Sequence, residues 1–335
     1  MRIERNLGMD LVRTTEAAAL RSARWMGRGD KNHADQAAVD AMRFALESVP
    51  MNGVVVIGEG EKDEAPMLYT GEHVGTGEGA ELDVAVDPVE GTTLLAEGMP
   101  GAISVVAVAE RGSLYTWEGI SYMDKIAVGE RARGAIDIDA PVADNISSVA
   151  KALGKDVDDV TVVVLDRPRH KELIRQIRAT GARIKLILHG DVSAGVMTGI
   201  EEPPADILMG IGGAPEAVIT ACALKCMGGE MQCKIWPKDE RERALVISQG
   251  LDAEKIYLTN DLVGSDVVFF AATGITHGEF LQGVEFFGGG ARTHSVVMRA
   301  ASGTVRHIEA THHWDKLMQI SDLRYDLGPE EVLEG

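Results

Sequence analysis

Leu82-Asp83-Val84-Ala85-Val86-Asp87-Pro88-Val89-Glu90-Gly91-Thr92-Thr93 sets an apolar, β-branched run against two acids, a proline, a glycine and two hydroxyls. Val84 to Val86 has the composition of a buried strand. Pro88 lacks a backbone donor and has a fixed φ, so it is expected to stop that strand and leave Asp87 at its carboxyl end. Strand ends are where α/β proteins place ligands. Asp87 and Glu90 lie three apart around a turn and can face one point, while Gly91 lets the backbone approach a ligand. Converging carboxylates beside amides and a hydroxyl suit a hard cation together with a phosphate. A strand followed by solvated acids would spell the same letters, so the rest of the chain has to decide.

Upstream, Gly53 to Gly58 predicts a second strand that empties into Glu59-Gly60-Glu61-Lys62-Asp63-Glu64. Acids this dense either spread into solvent or share a cation that relieves their repulsion; their position at a strand end favours the cation. Before it, the apolar spacing predicts a helix over 10–26, stopped at Gly27-Arg28-Gly29, and a second over 34–48. Asp35 falls on the buried stripe of that second helix, where it either complements the helix dipole or serves a ligand.

Downstream, a strand is expected over 102–109, a hairpin turn at Arg111-Gly112, and antiparallel sheet to Val128. From about residue 142 the texture changes to alternating strand and helix: a helix over 145–153, then strands at 161–165, 184–188 and 207–210 among helices at 169–180, 192–199 and 214–227. Two halves follow, 1–142 and 143–335. Further strands are read at 267–272 and 295–298, with Gly288-Gly289-Gly290 as a turn between elements, and 237–250 as a loop and helix with no evident role. The landmarks of the second half again sit where strands stop. Arg167, Arg169, His170 and Lys171 form the densest cationic cluster, able to grip a phosphate. His189-Gly190-Asp191 and Gly212-Gly213-Ala214-Pro215-Glu216 end the next two strands.

The 335 residues, 45% hydrophobic, suffice for a sizeable core. With 33 Lys and Arg against 52 Asp and Glu, the net charge of -19 excludes nucleic acid as a natural partner. No apolar run has membrane-spanning length and the start does not read as a signal peptide, so a cytoplasmic protein is expected. Cys222, Cys226 and Cys233 read as small core residues, not as a disulfide framework or a zinc site.

Taken together, Gly27 to Asn32 with Asp35, Ile57 to Met67, Asp87 to Thr92, Arg167 to His170 and Gly212 to Glu216 resemble class II fructose-1,6-bisphosphatase, in order over most of the chain. The resemblance implies the α-β-α-β-α sandwich of the lithium-sensitive, metal-dependent phosphatases, an α/β, layered α+β fold. It implies Mn²⁺ or Mg²⁺ held by Asp35, Glu59, Asp87, Glu90 and Glu216, and hydrolysis of the 1-phosphate of fructose 1,6-bisphosphate. Sedoheptulose 1,7-bisphosphate is the alternative substrate, with an inositol-monophosphate-type phosphatase or a non-catalytic sugar-phosphate sensor further off. Substrate contacts then fall on Glu90, Gly91, Thr92, Tyr122, Arg167, Pro168, Arg169, His189, Gly190, Asp191 and Gly213. Asp63, with Thr92 orienting, is the candidate for taking the proton of the attacking water, and Glu61 its alternate. The chain departs from the family in having Arg167 in place of lysine and His189 in place of an acid. A homo-oligomer, dimer or tetramer, is expected.

Overall fold

The structure, a computed structural model, describes residues 6–60, 67–321, 323–326 and 328. Its strands in chain order are β1 (Met51–Ile57), β2 (His73–Val74), β3 (Ala80–Glu90), β4 (Ile103–Glu110), β5 (Tyr122–Val128), β6 (Thr161–Leu165), β7 (Arg183–Ile187), β8 (Ile207–Gly213), β9 (Glu230–Ile235), β10 (Tyr257–Leu258), β11 (Val268–Gly274), β12 (Glu285–Phe287), β13 (Gly290–Arg299) and β14 (Thr304–His313). The α-helices are α1 (Leu7–Ser22), α2 (Lys31–Glu47), α3 (Thr92–Ala96), α4 (Val142–Leu153), α5 (Lys171–Ala179), α6 (Asp191–Met197), α7 (Ala214–Met227), α8 (Glu240–Ser248), α9 (Thr259–Leu262) and α10 (Trp314–Leu317). This is a mixed α/β chain with two mixed sheets, in keeping with a layered α+β fold.

One compact unit comprises the described residues of Met1–Arg111, Phe269–Arg299 and Val305–Gly335. Its sheet runs β12-β13-β11-β4-β3-β1-β2, with β14 also on β13. Helices α1 and α2 pack on each other and on this sheet through Ala18, Ala19, Ala34 and Ala38, all without solvent exposure. Alanines there let the helix axes approach closely, and Leu11, Met42, Leu82 and Phe269 fill the remaining core.

Within β3 the reading of Pro88 needs correcting: the strand passes through Pro88 and ends at Glu90. The pairing to β4 slips between Asp87↔Val105 and Glu90↔Ile103, three steps on one strand against two on the other. Pro88 sits inside that bulge, where a missing donor breaks no ladder bond. Arg111-Gly112 is likewise no hairpin, because β4 and β5 belong to different sheets.

The second unit, Gly112–Val268 with Ala300–Thr304, carries a sheet ordered β10-β9-β5-β8-β6-β7. Helices α4 and α5 cover one face, where Ile146, Val149, Ile174 and Ile177 join Ile126, Val128, Val162 and Val164 in one cluster. The texture change read near residue 142 coincides with the start of α4. Helix α7 packs on α6, β5, β8 and β9 and is buried nearly all round, including Cys222 and Cys226. Burial pushes the thiols of Cys226 and Cys233 up to about 12, so they are inert core residues.

Candidate active site

In the first unit β1 and β3 are parallel neighbours, so the chain leaves both at the same sheet end. Glu59 follows β1 there, and Asp87 and Glu90 close β3 beside it. The bulge turns Asp87 back on its own strand: its Oδ1 accepts the Val89 N–H at 3.1 Å. Glu90 is buried. Gly91, at φ +91°, supplies the left-handed step that starts α3 and puts Thr92 in its first turn.

Helix α2 brings Asp35 to this edge. Its cap is Asp30, which accepts the His33 N–H at 3.1 Å, so Asp35 is not needed to close the helix start. Burial raises the pKa of Asp35, and a hydrogen bond from Thr92 partly offsets the rise. The Thr92 hydroxyl stands 3.1 Å from the Val89 carbonyl as well, so it can point its proton either way. Burial, and after it the charge of Asp35, pushes Glu59 up to about 7. Asp35, Glu59 and Thr92 thus form one electrostatic group. Glu61 and Asp63, the two proton-acceptor candidates, lie outside the described residues.

The second unit gathers its landmarks by the same topological device. Strands β7, β6 and β8 are parallel and β5 is antiparallel to β8, so His189, Arg167 and Gly213 at strand ends meet Tyr122 at a strand start. Tyr122 is paired in register with Gly213. Arg167 Nη2 lies 3.4 Å from His189 Nδ1. Arg169 reaches over the Tyr122 ring, 5.0 Å from its centroid, and donates to the Ile211 carbonyl at 2.8 Å. Pro168 opens the short helical turn that carries both arginines' neighbour His170.

His170 does not belong to the cationic cluster as a charge. It is buried, its Nδ1–H donates to the Leu165 carbonyl at 2.6 Å and its Nε2 accepts the Ile211 N–H at 2.8 Å. Burial lowers its pKa, against the Leu165 bond and with the help of Arg169 and Arg167. It is a neutral brace between β6 and β8.

Asp191 opens α6 after Gly190, which has φ +91°. Its Oδ2 lies 2.7 Å from Lys125 Nζ, and both residues are buried. Glu216, in the first turn of α7, faces the same pair. Burial and then the Asp191 charge raise the pKa of Glu216, against the pull of Lys125. Burial works to lower Lys125, but Asp191 and Glu216 outweigh it and hold it protonated. A Cβ on Gly212 would collide with Asp191 Oδ2, and one on Gly213 with Glu216 Oε2. A side chain at either position would have to displace the carboxylate it meets.

Lys125 was not singled out by the sequence reading. Its signal is a lone ammonium in the apolar strand Met123 to Val128, at a position that alternation places opposite Ile126. A lysine so placed demands a buried acid.

The donors fit a hard divalent cation. Glu216 Oε2 is buried with no hydrogen-bond partner among the described residues, and Glu59 is pressed toward protonation, the signs of carboxylates whose natural counter-charge is an ion. All five expected ligands offer oxygen, which suits Mg²⁺ or Mn²⁺ over thiophilic metals.

A family profile described as bacterial fructose-1,6-bisphosphatase, glpX-encoded, matches residues 5–312. Among curated proteins, the D-fructose 1,6-bisphosphatase class 2/sedoheptulose 1,7-bisphosphatase of Synechococcus sp. strain JA-3-3Ab is 44% identical, across 93% of this chain and 97% of the relative. That of Synechococcus elongatus is 42% identical, across 95% and 99%.

Proposed function

Because the chain belongs to the glpX-type class II fructose-1,6-bisphosphatase family, and is therefore a phosphatase, we propose that it removes the 1-phosphate of fructose 1,6-bisphosphate, yielding fructose 6-phosphate. The observation that carries the reading furthest is that each unit has a strand-end cluster suited to a phosphate: buried carboxylates, with Asp35 acting against Glu59, in one and arginines beside an aromatic in the other. The first suits the reacting, metal-bound phosphate and the second the phosphate that stays.

The proposed metal ligands are Asp35, Glu59, Asp87 and Glu90 from the first unit and Glu216 from the second. Bound there, Mg²⁺ or Mn²⁺ would neutralise the reacting phosphate and acidify a water. The protein's own tasks are positioning and proton management. Thr92, already hydrogen-bonded to Asp35, orients the water or the phosphate oxygen. Asp63 takes the proton, with Glu61 as the alternate. Gly91 offers close backbone approach, and Glu90 and Thr92 contact the substrate. Arg167 and Arg169 hold the remaining phosphate, with Tyr122, Pro168, His189, Gly190 and Gly213 shaping the sugar site. Asp191, expected as a substrate contact, is also the partner that keeps Lys125 charged.

Sedoheptulose 1,7-bisphosphate is the second reading, because both cyanobacterial relatives carry that activity in their names. We place the protein in the cytoplasm as a homo-oligomer; no described helix is long and apolar enough to cross a membrane. The decisive experiment is phosphate release from a panel of sugar phosphates with Mg²⁺ or Mn²⁺. Turnover confined to monophosphates would overturn the assignment.

A further inference from the structure

Residues 237–250 have no place in the chemistry above, yet Lys238, Asp239, Arg241, Glu242 and Leu245 wall a cavity of about 610 Å³ that also holds Tyr122, Gly213 and Glu216. Asp239 caps α8 by accepting the Glu242 N–H at 2.9 Å. That cap turns Glu242 inward, leaving its side chain 4% exposed. One carboxylate oxygen accepts the Ser121 hydroxyl and lies 3.0 Å from Lys238 Nζ; the other accepts the Lys238 backbone N–H at 3.0 Å. Lys238 Nζ closes the ring on Ser121 Oγ at 2.8 Å. Burial would raise the Glu242 pKa, but the bonds from Ser121 and Lys238 overcome it and keep the carboxylate ionised.

Ser121 is the junction of this ring with the site. Its carbonyl accepts the N–H of Ala214, the first residue of the helix that bears Glu216, at 3.0 Å. The next carbonyl, that of Tyr122, accepts the Trp236 N–H at 3.0 Å, and the Trp236 ring stands edge-on to the Tyr122 ring at 6.2 Å. A purely structural staple could be made of apolar side chains at lower desolvation cost. This one is ionic, lines the site's own cavity, and is bonded to the residue that precedes Tyr122 and accepts the first N–H of α7.

We propose that Glu242, with Lys238, is a positioning residue for the substrate: acting through Ser121, it fixes Tyr122 and the first turn of α7 in the geometry that binds a sugar bisphosphate. This rests on the function proposed above. Small displacements of positioning groups are costly, so the effect belongs in substrate binding before it appears in folding.

The test is steady-state kinetics of Glu242→Gln, Lys238→Met and Ser121→Ala with fructose 1,6-bisphosphate, alongside thermal unfolding. Each should raise KM about five- to tenfold, the size of one ordinary hydrogen bond lost, with kcat changed less and, for Ser121→Ala, Tm close to wild type. Lys238→Arg should recover part of the loss. The Ser121→Ala/Glu242→Gln double variant should be no worse than the poorer single one, since both break one path. KM within twofold of wild type in all three, or KM losses that merely follow Tm, would overturn the proposal. Should Glu242→Gln fail to fold, Ser121→Ala, which removes one oxygen, decides alone. A wild-type protein that released no phosphate would sink the proposed function instead; the positioning role would then stand or fall on whether Ser121→Ala shifts the midpoint of fructose 1,6-bisphosphate binding measured by calorimetry.

Discussion

In the first unit burial and then the charge of Asp35 oppose ionisation of Glu59, whereas in the second Lys125 works against the burial that opposes ionisation of Glu216 and is itself ion-paired to Asp191. Both clusters stand at the ends of parallel strands, so topology alone does not separate them. The difference is whether the protein supplies its own counter-charge. Where it does not, the fold holds a repulsion that an ion would relieve, and removing one acid should cost activity without costing stability. Where it does, the geometry is set before any ligand arrives, and removing the counter-charge should cost the fold itself.

The comparison breaks first on metal removal. Chelation should abolish phosphate release, and Mg²⁺ or Mn²⁺ should restore it; full activity in a metal-free preparation would end the assignment of the first cluster. Next come Glu90→Ala and Glu59→Gln, each expected to lower kcat by about 100-fold or more, the scale of losing one preorganised electrostatic contact to the transition state. For Glu59→Gln the metal-free protein should unfold at the same denaturant midpoint as wild type or a higher one. A marked fall would mean that Glu59 is a structural acid.

In the second unit Lys125→Met should behave in the opposite way. Leaving Asp191 and Glu216 buried without their ammonium should cost about 3–5 kcal/mol, read as a lower midpoint in urea for the metal-free protein. Arg169→Ala is milder, because the side chain is only partly buried. Losing its charged bonds, worth about 1.5–3 kcal/mol, should raise KM for the bisphosphate at least about tenfold while a slowly cleaved monophosphate is affected far less. Equal losses for both substrates would show that the arginines serve the fold and not the remaining phosphate.

These contrasts mark where the sequence could be read and where it could not. Thr161–Leu165 and Ala214–Met227 were legible to the residue, one as a β-branched run between polar breaks, the other from proline just inside its start and glycine just past its end. Strand β9 escaped because Glu230, Gln232 and Lys234 interrupt its apolar letters, and β14 because it is half exposed along its length. The Pro88 bulge depends on β4, and β4's other neighbour, β11, comes from more than a hundred residues later. Candidate acids at strand ends could be named from local pattern, since Asp87 and Glu59 announce themselves by position. Lys125 shows locally only that some buried acid must meet it, and Glu242 not even that, because the partner of each lies on another element.

The smallest expected effect supplies a control for the whole comparison. Glu16 on α1 is a buried carboxylate of the first unit, and burial pushes it up to about 7 against a hydrogen bond from Thr293 Oγ1 at 3.1 Å. It matches Glu59 in the size of its shift yet has no assigned metal. A carboxyl held more tightly protonated in the folded state binds more protons there than in the unfolded chain, so stability falls as pH rises from about 4.5 to about 7. His312, whose Nε2 lies 3.9 Å from Glu16, acts oppositely: burial lowers its pKa, so its contribution is lost as pH falls below about 6.5. The two are separated by comparing wild type with Glu16→Gln in urea unfolding across that range. The variant should lack a slope of at most about 1.4 kcal/mol per pH unit, and the missing slope should be the same with and without saturating Mg²⁺. A Glu16 slope that Mg²⁺ erased would show that raised carboxylates in this unit respond to the ion wherever they lie, and the link between raised pKa and ligand position drawn for Glu59 would fail.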